Sequence, residues 1–538
     1  MNEEKIQNIK TSEDVINYIK TSTFNSVDMV YKQLVIQEEV IYIVYNESTA
    51  DENLISNYVI NSIKESFDSK IFEDINEKVC DDKNEELKIA EKKESFIEKL
   101  KKSNSRNKTS LKEEIKTLLN SFEKNVTIPK SKKIDLTKDD IFYFLFSGFA
   151  CVVYDGNIFS VSTRRNIDRS ITEATTENTL RGPKDAFNES YPTNIGLIRK
   201  RIKSEKLVLE EEIVGKRSKT KVGILYIQDI ARSKIIDYIK NKLKKIDIDA
   251  IIDSNYIVEL LEDSKKSNFP TMISSERPDL VSFYLLQGRV ALIVENTPFV
   301  IVIPAFLNDF ISNIEDYFQK DVNVFLTKLI RYIAFIVTII TPAIYVALIT
   351  FDQESIPTQL LLSFATQREG VPFPAYIEAF IMILAFEILR EGDYRVPSSA
   401  GSTLSIVGAL ILGDAAVSAG IVSPIMIIVI ALTTISGLMF NDISMANALR
   451  TWRIIFLIFA SIAGLVGIGI ATCLLIIKLA STTSATKPYT YPIAPVNMNS
   501  IKKNMIRRTN ISDDTKRQKI LTDNLTKHKL EKVGYNEK

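Results

Sequence analysis

The 538-residue chain is poor in the side chains from which most metal and redox centres are built. Its only histidine, His528, lies near the C-terminus, which excludes a histidine-based metal or catalytic site. Cys80, Cys151 and Cys473 are scattered and odd in number, so they supply neither a disulfide framework nor a metal-ligand spacing. A charge excess is also missing. Lys+Arg number 68 against 67 Asp+Glu, which removes any global argument for nucleic acid as a partner. There is no phosphate loop, no G-x-G-x-x-G opening a helix after a strand and no G-x-S-x-G, so no enzyme, cofactor or metal is expected. The first twenty residues, MNEEKIQNIKTSEDVINYIK, lack the apolar core of a secretory signal. Residues 1–330 are therefore expected to stay in the cytoplasm.

The near-zero net charge hides a segregation. Residues 1–330 and 480–538 are charged, while 331–479 is strongly apolar. The sequence predicts an integral membrane protein with a large water-soluble front end. Residues 1–23 read as an N-terminal helix. Residues 24–165 read as a first α/β subdomain, interrupted at 76–124 by a Lys/Glu-rich insertion with few aromatics. Within it, Tyr154-Asp155-Gly156-Asn157 is a hairpin signal between two strand-like runs. Residues 166–305 read as a second α/β subdomain. Its polar clusters Arg181-Gly182-Pro183, Arg199 with Arg201, and Glu276-Arg277-Pro278-Asp279 suit a ligand site, an interdomain salt-bridge network or a solvated face. Residues 306–328 carry Phe306, Phe310, Ile314 and Tyr317 on one stripe. They suit an amphipathic helix on the membrane surface or one docked on the soluble part.

Five apolar runs follow within 329–480: 329–350, 372–389, 403–422, 424–440 and 453–479. Each is near the length that crosses a bilayer, giving an α-helical bundle of about five spans. Five spans put Lys328, Arg331, Arg390, Arg395, Arg450 and Arg453 on the cytoplasmic side, as the positive-inside rule asks. They also put the basic tail 481–538, expected to be disordered, outside, against that rule. Counts of four or six would place both ends inside.

Three acids interrupt these runs. Glu378 and Glu387, nine residues apart, point to opposite sides of one helix and would be hidden among protein or water, or would reach the headgroups. Asp414 lies mid-run with Ser418 one turn on, among Ala409, Gly413, Ala416 and Gly420. Ala463 and Gly467 repeat the four-residue spacing. Small residues at this spacing suit close helix crossings, and they also leave the space a pore needs. With Val407 as a gate, the 403–422 run is a candidate ion path, and a packed polar crossing is the alternative.

Six segments, RGPKDAF (181–187), NIGLIRKRI (194–202), SERPDLV (275–281), GRVALIVENTPFVIVIP (288–304), PFPAYIEAFIMILAFEILRE (372–391) and RVPSSAGSTLSIVGALILGDAAVSAGIVS (395–423), resemble in order and spacing the A subunit of the GerA-type nutrient germinant receptors. The insertion 76–124 and the long tail depart from that pattern. The resemblance implies two cytoplasmic α/β subdomains, location in the spore inner membrane, and assembly with B and C subunits. It further implies a homo-oligomer of A subunits forming a monovalent-cation path, with the nutrient bound by the B subunit. A related A-type protein that amplifies germination without sensing nutrients, and a secondary transporter, are the alternatives.

Overall fold

The computed structural model describes residues 11–36, 39–61, 63, 131–134, 140–165, 177, 182–263, 267–318, 321–395, 413–501, 518, 520–522 and 524. The insertion 76–124 lies outside them. Helix α1 (Ser12–Ser22) starts where Thr11 and Asp14 cap each other's backbone amides. It precedes β1 (Met29–Ile36) and β2 (Glu39–Asn46), a helical segment at 52–60, β3 (Ser131–Ile134), α2 (Ile141–Phe146), β4 (Phe149–Tyr154) and β5 (Asn157–Ser162). The hairpin signal forms as a turn: Tyr154 pairs with Asn157 while Asp155 and Gly156 take the positive φ that such a turn requires. Apolar side chains alternate through the sheet, so both of its faces are covered. Helices α1 and α2 cover Val44, Cys151 and Val153, and the 52–63 segment covers Ile41, Ile43 and Val152.

The second domain repeats this plan. It runs α3 (Tyr191–Arg201), β6 (Leu207–Val214), β7 (Thr220–Ile227), α4 (Ser233–Leu243), α5 (Ser254–Leu261), β8 (Ile273–Ser275), α6 (Pro278–Leu286), β9 (Val290–Val294) and β10 (Val300–Ile303). The strand orders are β1-β2-β4-β5-β3 and β6-β7-β9-β10-β8, the same topology position for position. A glycine at positive φ introduces the fourth strand of each sheet, Gly148 in one and Gly288 in the other. Each would press an added Cβ on the carbonyl three residues beyond the second strand, Thr49 and Ile230 respectively.

The stripe at 306–317 is not one interfacial helix. It breaks into α7 (Leu307–Ile311) and a 3₁₀ turn at Ile314–Phe318, with Phe306, Phe310 and Ile314 buried against protein. Helix α8 (Asp321–Thr350) follows, then α9 (Thr358–Arg368), α10 (Ala375–Arg395), a helical stretch at 413–418, α11 (Pro424–Gly437) and α12 (Ile443–Ser481). Among the described residues two helices are long and apolar enough to cross a membrane, α8 over Val324–Thr350 and α12.

Helix α12 is not straight. Ala463 and Gly464 leave helical geometry, and Gly464 takes φ 55°, ψ −135°, a region open to glycine. Gly467 then lies so close to the Phe459 peptide that any side chain on it would overlap the backbone. Further down, Trp452 stacks on Phe269 with centroids 6.3 Å apart, while Thr482 shares a hydrogen bond with Ser267. An unbroken helix would hold Trp452 and Thr482 about 45 Å apart. The helix therefore folds back on itself, and its two ends lie on the same side. The freed Leu465 amide donates to Asp352 Oδ2 at 2.9 Å.

Part of the tail expected to be disordered is folded. Residues 482–501 return onto the second domain, where Ser484 Oγ bridges Thr271 O and the Ala305 amide and Tyr489 is fully buried. Charge density over the tail suggests a solvated segment, but its start, TTSATKPYTYPIA, carries Tyr489 into the core between sheet and bundle and Tyr491 against Phe306.

Candidate functional site at the domain–bundle junction

One continuous core joins the second domain to the bundle. It runs from Leu209, Leu225 and Ile293 through Phe310 to Ala343, Trp452 and Leu475. Charged side chains ring this seam. Arg277, before α6, is nearly fully buried. It donates to both carboxylate oxygens of Asp279 at 3.1 and 2.8 Å and lies 3.7 Å from Glu315. Pro278 takes the first turn of α6, where no amide hydrogen is needed. Arg289 is held by Asp309 through two 2.8 Å bonds. Asp316 accepts from Arg331 at 2.8 Å, with Lys328 4.0 Å away, so the base of α8 is tied to the 3₁₀ turn.

Between these groups lies a cavity of about 270 Å³, bordered by Glu177, Arg277, Asp309, Arg331, Asn441 and Asp442. It touches the second domain, α8 and the loop between α11 and α12. Glu177 accepts from Ser275 Oγ at 2.8 Å. Burial pushes its carboxyl up to about 7, against the lowering influence of Ser275 and Arg277. The cavity's wall therefore holds a group that changes charge near neutral pH, next to a fixed cation.

A second charged cluster joins the two α/β domains. Arg199 is fully buried and donates to Asp28 at 2.8 and 2.9 Å and to Ser26 Oγ at 3.1 Å, with its guanidinium 4.4 Å from the Phe146 ring centre. Burial works to raise the Asp28 carboxyl, but Arg199, Ser26 and Asn46 together hold it below the usual carboxylate range. Arg201 instead pairs with Asp185 at 2.6 and 2.7 Å. Gly182 and Pro183 are exposed, Glu276 is buried with its carbonyl accepting from the Phe187 amide, and Arg181 lies outside the described residues.

In the bundle, Glu378 is fully buried. It accepts from Arg368 at 2.9 Å and from the Ser423 amide and hydroxyl, each at 3.0 Å. Glu387 faces other partners, Arg450 at 3.3 Å and Arg390 at 3.9 Å. Asp414 and Ser418 are exposed on this single chain, Ala416 packs in the bundle, and a Cβ added at Gly413 would meet Ile427 while one at Gly420 would meet the Gly370 carbonyl. Val407 and Ala409 lie outside the described residues, as does the side chain of Arg395 at the end of α10. Ala463 and Gly467, expected at a helix crossing, form the turn and inner wall of the α12 fold-back.

Several of these residues escape a reading by sequence. Arg453, counted as a flanking charge, is buried and donates its Nε to Thr338 O at 2.9 Å. Pro342, four residues on, has no amide hydrogen, so that carbonyl is without its helical donor. Gly464 and Asp352 make the fold-back, whose one sequence signal is a final helix too long for a single crossing.

A sequence model described as Bacillus/Clostridium GerA spore germination protein matches residues 17–520. Spore germination protein KA of Bacillus subtilis (strain 168) is 42% identical over 377 residues, covering 70% of this chain and 69% of that protein. Spore germination protein B1 of the same organism is 36% identical, covering 69% and 77%. Spore germination protein GerLA of Bacillus cereus is 35% identical, covering 73% and 80%. The crystal structure of the N-terminal domain of the A subunit of the Bacillus megaterium spore germinant receptor GerK3 aligns at 28% identity with a TM-score of 0.37, covering 55% of this chain and 96% of that one.

Proposed function

The chain belongs to the GerA family of spore germination proteins, and from that premise we propose that it is the A-type subunit of a nutrient-responsive germinant receptor in the spore inner membrane. In this reading the α/β domains lie in the cytoplasm and the chain assembles with B and C subunits, the B subunit binding the nutrient. Several copies of the chain surround a path for monovalent cations. No step requires bond chemistry, so the protein acts as a conformational relay rather than an enzyme.

The observation that carries this reading is the junction. Arg277 with Asp279 and Glu315, and Arg289 with Asp309, hold the second domain to the segment that leads into α8, Arg331 of α8 closes on Asp316 of that segment, and one apolar core crosses the seam. A displacement on either side is therefore felt on the other, because packed interfaces shift between discrete arrangements rather than yielding smoothly. The fold-back of α12 favours six passes: α8, α10, the 403–422 run, α11 and the two arms of α12. The arm 443–462 is about 30 Å long and the arm 465–481 about 25 Å. Six passes leave both ends on the cytoplasmic side and remove the conflict between the basic tail and the positive-inside rule.

The 403–422 run is the proposed lining of the path. Asp414 and Ser418 are exposed on one protomer and so are available to a shared axis, where one Asp per chain becomes an acidic ring that favours cations. The test is cation release from spores that carry the complex with Asp414→Asn or Val407→Ala. Asp414→Asn lowers release on nutrient addition, and Val407→Ala leaks without nutrient. Normal release from Asp414→Asn and no leak from Val407→Ala, both at wild-type abundance, move the path to another helix.

A further inference from the structure

A second cavity, about 420 Å³, lies between α10 and the first arm of α12, at the end of the bundle nearest the α/β domains. Ile383 and Ile454 line one part of it, and Arg450, Thr451, Arg453 and Glu387 line the other. Its charges do not balance. The Glu387 carboxylate is shared, 3.3 Å from Arg450 and 3.9 Å from Arg390. Arg453 is 3% exposed, and among the described residues no carboxylate lies within 4 Å of it. Its Nε caps a carbonyl, and a guanidinium has four further N–H donors. Arg450 Nε is buried with no hydrogen-bond partner. A buried cation whose nearest carboxylate, Glu387, is shared with two other guanidinium groups is costly, and an anion in the cavity relieves that cost.

The surroundings define what kind of anion fits. Leu384 and Ile388, next in sequence to the lining residues Ile383 and Glu387, and Ile458, one turn beyond the lining residue Ile454, are exposed. A ligand reaching it from this side passes over an apolar surface that faces acyl chains, not water. The occupant must then carry a phosphate-like head and hydrocarbon behind it. We propose that this cavity binds the phosphodiester of an anionic phospholipid, with Arg450 and Arg453 holding its oxygens and the acyl chains lying along Leu384, Ile388 and Ile458. Basic pockets between membrane helices on the cytoplasmic side are suited to such headgroups, and a guanidinium meets phosphate oxygens with paired donors. The site does not depend on what the assembled complex conducts.

The test uses the purified full-length chain in neutral detergent, followed by native mass spectrometry and by thermal unfolding. Phosphatidylglycerol, phosphatidylcholine of the same acyl chains and inorganic phosphate are titrated separately. Phosphatidylglycerol is retained and raises the unfolding midpoint. Phosphatidylcholine and inorganic phosphate do neither. Arg450→Gln weakens phosphatidylglycerol binding by roughly fivefold or more. Arg453→Gln risks unfolding, because that side chain also caps the Thr338 carbonyl, so Thr451→Trp serves as the second variant by filling the cavity. Equal retention of the two lipids overturns the proposal. So does an equal effect of inorganic phosphate, or undiminished phosphatidylglycerol binding by both Arg450→Gln and Thr451→Trp.

Discussion

The two α/β domains share one strand order and place their helices at the same points of the chain, yet only the second is continuous with the membrane helices. In the first domain each sheet face is closed by its own helices. In the second, one face is closed by α4 and α5, and the other opens past α3 and α6 into α8, α12 and the returning tail. The fold alone does not decide this. Phe269, Phe310 and Tyr489 decide it, because they supply large aromatic surface at the seam, and Trp452 reaches them from the bundle. The comparison teaches that one plan is used twice, once as a unit held through Asp28 and once as the base of the bundle.

The strongest way to break the comparison is to cut the tie between the copies. Arg199→Ala leaves Asp28 buried and unpaired and removes the guanidinium from Phe146. Breaking a buried pair from one side costs about 3–5 kcal/mol. The expected outcome is early hydrogen exchange in β1 and β2 with β9 and β10 still protected. Simultaneous loss of protection in both sheets would show that the domains unfold as one unit.

Gly464→Ala acts at the other end. A Cβ there meets Asp352 Oδ2 at 2.5 Å and Phe351 Cβ at 2.8 Å, in a backbone region hostile to side chains. The cost is about 2–3 kcal/mol. The fold-back straightens and the tail at 482–491 leaves the second domain. Cysteine labelling at Thr483 reads that release, and unchanged protection there counts against it.

Much of the fold was legible. Strand-like apolar runs marked the pair around Asp155-Gly156, and that dipeptide marked a turn that the structure contains. What escaped depends on distance along the chain. Asp28 and Arg199 are 171 residues apart, and neither is unusual in its own neighbourhood. Arg453 reads as a flanking charge until Pro342 on another helix is seen to free the Thr338 carbonyl. Gly464 sits among other small residues, so spacing pointed to a helix crossing rather than a turn. The tail was judged by its later lysines and not by its first apolar residues. At the site, Arg277 and Asp279 stood out as a motif, but Glu177 carries no local signal.

The matched glycines sharpen the comparison. Both Gly148 and Gly288 hold positive φ, so alanine at either costs about 1–2 kcal/mol. The surroundings rank them. A Cβ on Gly148 meets Thr49 O at 2.6 Å, whereas one on Gly288 meets its nearest carbonyls at 3.2 Å. Thermal unfolding should find Gly148→Ala the more damaging, and the reverse order would break the equivalence of the two turns.

The smallest effect separates the domains by pH. The Asp28 carboxyl is held below its ordinary value of 3.8, so its contribution is fully present above that value and is lost as acid protonates it through the lower folded value. Glu177 has the opposite sign. Its carboxyl is raised from 4.5 to about 7, so the folded chain keeps a proton that the unfolded chain has released. That contribution is fully present below 4.5 and is lost as pH rises through about 7. Between about pH 6 and about pH 8 the loss is about 1 kcal/mol. Acid should therefore loosen the interdomain tie, while mild base loosens the junction, where a new negative charge appears beside Asp442 and Asp309. Glu177→Gln keeps the shape, cannot ionise and should flatten the pH dependence over that interval without touching the acid limb. The measurement is hydrogen exchange at α6 and at β1 across the interval, in wild type and variant. If α6 in wild type shows no pH-dependent opening beyond the intrinsic exchange rate, or if Glu177→Gln opens as wild type does, then Glu177 is not the titrating group of the junction.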